Sequence, residues 1–222
     1  GGMSAADLAQ WVSRRFQAVL FDFDGTLVNS TSAVERSWRQ WVHEFGVEAA
    51  ALRHGVPVIE TVNAVIGPDR RPEALARIRQ LELGATDGIV LAPGGRDALA
   101  GLDDHTCAIV TSCDRDLFEK RRGLFEGLAV PSVTITRTDV EHGKPDPEPW
   151  LAAAERLHVD PRECLVVEDS EAGLVSGKAA GCATLGLLTT LPIERIHADV
   201  VVPDLSQVQF VRDETGVMVR PR

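Results

Sequence analysis

Short apolar runs punctuate the chain at residues 18–21, 107–110, 133–135, 164–167, 183–187 and 200–202. Each has the length and branching of a strand buried on both faces. Helix signals fill most of the intervals. Asp146-Pro147 reads as an N-cap with proline in the first turn, opening an apolar helix through Leu157. Ser170 reads as the cap of the next helix, which stops near Gly181. Strands alternating with helices predict an α/β fold built on a doubly wound, Rossmann-like parallel sheet.

The stretch between the first two runs, residues 22–106, is far longer than one crossover helix needs. Val34, Trp38, Trp41, Val42 and Phe45 fall at helical spacing, so Trp38 and Trp41 read as helix core rather than as a ligand platform. Further helices are expected over 56–66 and 69–83, and Pro93-Gly94-Gly95 marks a return turn. Residues 31–91 are therefore expected to form a helical cap, and 1–30 with 92–222 the α/β core. A hairpin is expected around residues 214–216.

Composition narrows the function classes. Of 222 residues, 44% are apolar and 25% charged, ordinary for a globular chain. A net charge of −10 with no basic run argues against nucleic acid and anionic membrane as partners. No apolar stretch approaches the roughly 20 residues that span a bilayer. No signal-peptide pattern opens the chain, Gly1-Gly2 before Met3 reads as a cloning remnant, and a cytoplasmic monomer is expected. Cys107, Cys113, Cys164 and Cys182 show no CxxC spacing, and three lie at or beside apolar runs, so free thiols are expected.

Four polar clusters follow the expected strands or the turn after one. Asp22-Phe23-Asp24-Gly25 places two acids at a strand end, where α/β sheets bind ligands. Asp-x-Asp-Gly also opens calcium loops, but the twelfth position here is Ala33 where an EF-hand needs glutamate. Thr111-Ser112 offers a hydroxyl and a backbone N–H suited to phosphate oxygens. Lys144, one of only three lysines, sits in the Gly/Pro turn Gly143-Lys144-Pro145-Asp146. Glu168-Asp169 leaves two acids side by side, a repulsion that a hard cation relieves. Taken singly, each has an ordinary structural reading as a turn, cap or surface charge. Together, at one sheet edge, they form an inventory for phosphoryl transfer.

These motifs, FDFDGTL, IVTS, GKPDP and VVEDSEAG, match in order and spacing those of the haloacid dehalogenase superfamily, and the chain resembles its phosphatases with a small helical cap. Residues 29–38 and the pair His54-Gly55 are similar to those of the sugar- and polyol-phosphate phosphatases, of the 2-deoxyglucose-6-phosphatase and glycerol-phosphatase types. The resemblance implies Asp22 as nucleophile, Asp24 as acid and base, and Thr111, Ser112, Lys144 and His54 as phosphate or substrate contacts. It implies Mg²⁺ held by Asp22, Asp24 (through its carbonyl) and Asp169, with Glu168 in support. The expected substrate is a small phosphomonoester: a sugar or polyol phosphate, or a biosynthetic intermediate.

Three alternatives accompany this reading. β-Phosphoglucomutase-type enzymes share the cap but carry a histidine where this chain has Val34, and a basic cap loop where it reads Arg53-His54-Gly55-Val56-Pro57-Val58. A non-catalytic binding protein on the same fold would be expected to lose Asp22, Asp24, Lys144 or Asp169, and all four are present. A Schiff-base phosphonate hydrolase needs a cap lysine, and residues 1–119 contain none.

Overall fold

All six apolar runs pair into one parallel sheet in the computed structural model, which describes residues 5–52 and 57–222. In chain order the strands are β1 (Ala18–Phe21), β2 (Val28–Asn29), β3 (Val90–Leu91), β4 (Cys107–Val110), β5 (Thr134–Ile135), β6 (Cys164–Glu168), β7 (Ala183–Leu187), β8 (Val200–Val202), β9 (Val208–Asp213) and β10 (Gly216–Pro221). The main sheet runs β5-β4-β1-β6-β7-β8. The helices are α1 (Ala5–Ala9), α2 (Thr31–Phe45), α3 (Val58–Val65), α4 (Arg71–Gly84), α5 (Gly95–Ala100), α6 (Arg115–Arg122), α7 (Glu148–Leu157) and α8 (Glu171–Ala179).

β1 is central and buried along its whole length because both faces are covered. Val19 and Phe21 join Ile109, Leu165, Val167 and Leu185 on one face. Ala18 and Leu20 face the other, with Val110, Val166 and Trp150 of α7. Burying each such large apolar side chain contributes roughly 1.5–3 kcal/mol. The hairpin β9–β10 seals the first face: Phe210 meets Phe21 edge-on, with ring centroids 5.5 Å apart, and Val217 bridges to Phe16.

Register fixes the active edge. Phe21 pairs with Ile109 on one side and with Val167 on the other. Asp22, Val110–Thr111 and Glu168 therefore emerge side by side at the carboxyl ends of three adjacent strands.

A helical insert lies between β1 and β4. Its own core gathers Trp41, Val62, Ile66, Ala74 and Ile78. Trp41 is fully buried, and its Nε1 donates to the Ala74 carbonyl at 2.9 Å. β2 and β3 pair antiparallel where the chain enters and leaves the insert.

Several expected boundaries shift. The helix expected to be capped by Asp146 begins at Glu148; Asp146 Oδ1 instead accepts the Glu148 N–H at 2.9 Å, closing a turn ahead of it. The helix expected from residue 69 starts at Arg71 after a short 3₁₀ turn, Pro68–Arg70. The helix expected over 56–66 is observed as Val58–Val65, and residue 56 lies outside the described residues. Ser170 caps α8 as expected, accepting from the Gly173 N–H at 3.0 Å.

Candidate active site

Lys144 is buried at the active edge. Its Nζ donates to Asp22 Oδ1 at 2.9 Å, Glu168 Oε2 at 2.8 Å and the Val110 carbonyl at 3.0 Å. The turn before α7 thus delivers one ammonium to the ends of β1, β4 and β6. Burial opposes its charge, but the two carboxylates outweigh that and raise its pKa.

Asp22 sits where carboxylate charge is costly. Burial first, then the Glu168 charge, raises its pKa to about 7 against the pull of Lys144. Asp169 is pushed well above its usual range by burial and by the charges of Asp22 and Glu168. Glu168 goes the other way: burial opposes its charge, but Lys144 and local hydrogen bonds hold its pKa low. Its Oε1 accepts from the Asp169 N–H, the Ser170 N–H and the Ser170 hydroxyl. Glu168 is thus already spoken for at both oxygens.

Two glycines make this crowding possible. Gly25 has φ +85°, and a Cβ there would lie 1.9 Å from Asp169 Oδ2. At Gly173 a Cβ would lie 1.8 Å from Glu168 Oε2.

Asp24 stands apart from the lysine cluster. Its Oδ1 accepts from the Ser30 hydroxyl at 2.7 Å and pairs with Arg121 Nη1 at 3.0 Å; its Oδ2 meets Cys113 Sγ at 3.0 Å. Thr111 is buried beyond Val110 and its Oγ1 accepts the Cys113 N–H at 3.1 Å, while Ser112 is exposed. His54 and Arg53 lie outside the described residues. Arg36 Nη2 donates to the Asp87 carbonyl within the insert, and His142 is exposed beside Glu148.

A model of the haloacid dehalogenase-like hydrolases matches residues 19–187, spanning all four motifs. The chain belongs to this family. Hexitol phosphatase A of Escherichia coli is 34% identical over 214 residues, covering 92% of this chain and 99% of that protein. The 2-deoxyglucose-6-phosphate phosphatase 1 of Saccharomyces cerevisiae is 31% identical, covering 90% and 93%. A family hydrolase from Deinococcus radiodurans, solved with bound phosphate and sodium, superposes with a TM-score of 0.63 at 25% identity, covering 86% of this chain and 93% of that one.

The family is generally Mg²⁺-dependent, and the residues here suit the ion. Ligand oxygens of Asp22, Glu168 and Asp169 all lie within 4.8 Å of one another in a buried site. Three carboxylates face one ammonium, and an all-oxygen donor set with excess negative charge is what a hard divalent cation requires. Glu168 is engaged by its neighbours at both oxygens, so Asp22 and Asp169 would be the residues to hold the ion.

Sequence reasoning missed the groups around Asp24. Ser30, Cys113 and Arg121 each look ordinary in the chain, as a helix start, a loop thiol and a helix-end charge. All four cysteines are free, as expected, but Cys113 is not simply packing: burial and the Asp24 charge drive its thiol pKa well up. Thr190, whose hydroxyl meets Asp169 Oδ2, was also invisible. Asn29 Oδ1 accepts the Thr31 N–H at 3.0 Å and shapes the entry to α2.

Proposed function

We propose that this protein hydrolyses a small phosphomonoester in two steps through an aspartyl-phosphate on Asp22. The observation that carries the reading is the single ammonium of Lys144 joining Asp22, Glu168 and the end of β4, beside Asp169. Residues 31–91 serve as the cap over this edge.

In the first step the Asp22 carboxylate attacks phosphorus and the ester P–O bond breaks. Asp24 gives its proton to the leaving alkoxide oxygen. In the second step water attacks phosphorus, Asp24 takes its proton, and the bond to Asp22 breaks, releasing phosphate. Lys144 holds Asp22 in place and offsets charge as it builds. Thr111 uses its oxygen as acceptor for the Cys113 N–H, which leaves its own hydrogen to donate to a phosphoryl oxygen beside the Ser112 amide. Mg²⁺, held by Asp22, Asp169 and the Asp24 carbonyl, would supply charge neutralisation at the phosphoryl group. The phosphate bound in the Deinococcus relative supports the same ligand class here.

The substrate is a sugar or polyol phosphate, or a biosynthetic intermediate, with little charge away from its phosphate. The named activities of the hexitol and 2-deoxyglucose relatives support the class. Among the described residues, Val34 in the first turns of α2 offers no charge to a second phosphate, and Arg36 Nη2 is engaged by the Asp87 carbonyl. This favours hydrolysis over a mutase that must hold bisphosphates.

Phosphate release from p-nitrophenyl phosphate and a phosphomonoester panel, with Mg²⁺, tests both levels. Wild type should turn over and Asp22→Asn should lose at least about 10³-fold. Full activity in Asp22→Asn would end the mechanism. A clear preference for bisphosphates would end the substrate assignment alone.

A further inference from the structure

Arg121 is a buried charge in an unusual position. It projects from the last turn of α6 and is only 4% exposed. Nη1 pairs with Asp24 Oδ1 at 3.0 Å and approaches Cys113 Sγ at 3.5 Å. Nε and Nη2 are buried with no hydrogen-bond partner among the described residues. A guanidinium buried with two nitrogens unmet is costly, and such groups call for an explanation beyond packing.

The surroundings supply one. α6 packs against α4 of the insert, and α4 carries Glu82, itself only 9% exposed. Glu82 and Arg121 are near enough for their charges to act on each other. Arg121 therefore pairs with Asp24 of the core while it lies in the field of a buried carboxylate of the insert. Ser30, at the start of α2, and Cys113 complete the hold on Asp24, and among the described residues Arg121 is its cationic partner, on a helix that touches the insert.

We propose that Arg121 is a positioning residue that aims the Asp24 carboxyl and couples its placement to Glu82 on the insert. Proton transfer depends steeply on the placement of donor and acceptor, so a group that aims the acid acts on rate without touching substrate. The inference rests on the reading of Asp24 as the acid that protonates the leaving oxygen.

Leaving-group dependence separates positioning from general structural support. kcat/KM reports steps through release of the alcohol. Alkyl phosphates need the proton from Asp24, whereas p-nitrophenolate departs without it. We expect Arg121→Gln, assayed with Mg²⁺, to lose at least about 10-fold more kcat/KM on alkyl phosphates than on p-nitrophenyl phosphate, with the loss mainly in kcat. Arg121→Lys should recover part of that difference. Glu82→Gln should show a smaller loss of the same selectivity. Equal losses on both ester classes, or none, in Arg121→Gln would overturn the proposal. Should Arg121→Gln fail to fold, the same comparison in Arg121→Lys and Glu82→Gln decides: a uniform loss or no loss overturns it. Asp24→Asn is the control. If it shows no selective loss, the acid role itself has failed and the inference with it. If it does while the Arg121 and Glu82 variants track wild type, only the inference has failed.

Discussion

Lys144 is an ammonium held out of water between two carboxylates and a carbonyl. Its worth lies less in the pairing than in what its removal leaves behind. Truncating one member of a buried ion pair strands the others, at a cost of about 3–5 kcal/mol. Lys144→Met is therefore expected to lower stability by that order in urea unfolding, and to abolish turnover as well. A variant that unfolds at the wild-type midpoint would show that the three bonds carry no net stability. The lysine could be found from sequence because lysines are rare in this chain and this one sits in a Gly/Pro turn after a strand. Arg121 could not be found so, since its neighbours Lys120 and Arg122 are equally basic and only burial distinguishes it.

At the scale of elements, α8 illustrates how the site constrains the helix that follows it. Gly173 lies in the first turn, where alanine would ordinarily favour a helix by about 0.8–1 kcal/mol. Here the added methyl would collide with Glu168, so Gly173→Ala is expected to lower the melting temperature and kcat together. A rise in melting temperature would mean that Glu168 can move aside freely. The long apolar strands and the Ser170 cap were legible because burial on both faces and capping leave local signatures. β2 and β3 were not legible: two-residue strands have no periodicity, and they form only because the insert brings Val28 opposite Leu91. The early start expected for α7 failed for a local reason, a side-chain turn at Asp146 competing with the cap.

Across the molecule, the fold gathers like charges at one edge and leaves them unbalanced. A carboxyl with a raised folded pKa contributes stability below its unfolded value, 3.8 for Asp22, and loses it as pH rises through the folded value of about 7. Asp169 shifts in the same direction. The metal-free protein should therefore be penalised most at the alkaline end of this window, where a divalent cation gives most relief. The rise in melting temperature on adding Mg²⁺ is expected to grow between about pH 5.5 and about pH 8, and to shrink in Asp169→Asn. A shift that is flat with pH would place the ion elsewhere. The gathering itself was legible, since a parallel sheet puts every strand's carboxyl end on one edge. Which insert side chains face that edge was not legible, because no backbone pattern announces it, and His54, expected to be one, lies outside the described residues.

The most direct test of the central claim is to trap the covalent intermediate. Enzyme turning over a phosphomonoester with Mg²⁺ is quenched in acid, and the acyl phosphate is reduced with borohydride, converting the phosphorylated aspartate to homoserine. Peptide mass spectrometry then locates the change. Homoserine is expected at position 22 and nowhere else, dependent on substrate. Modification at another residue, or none in enzyme caught releasing phosphate, would contradict it.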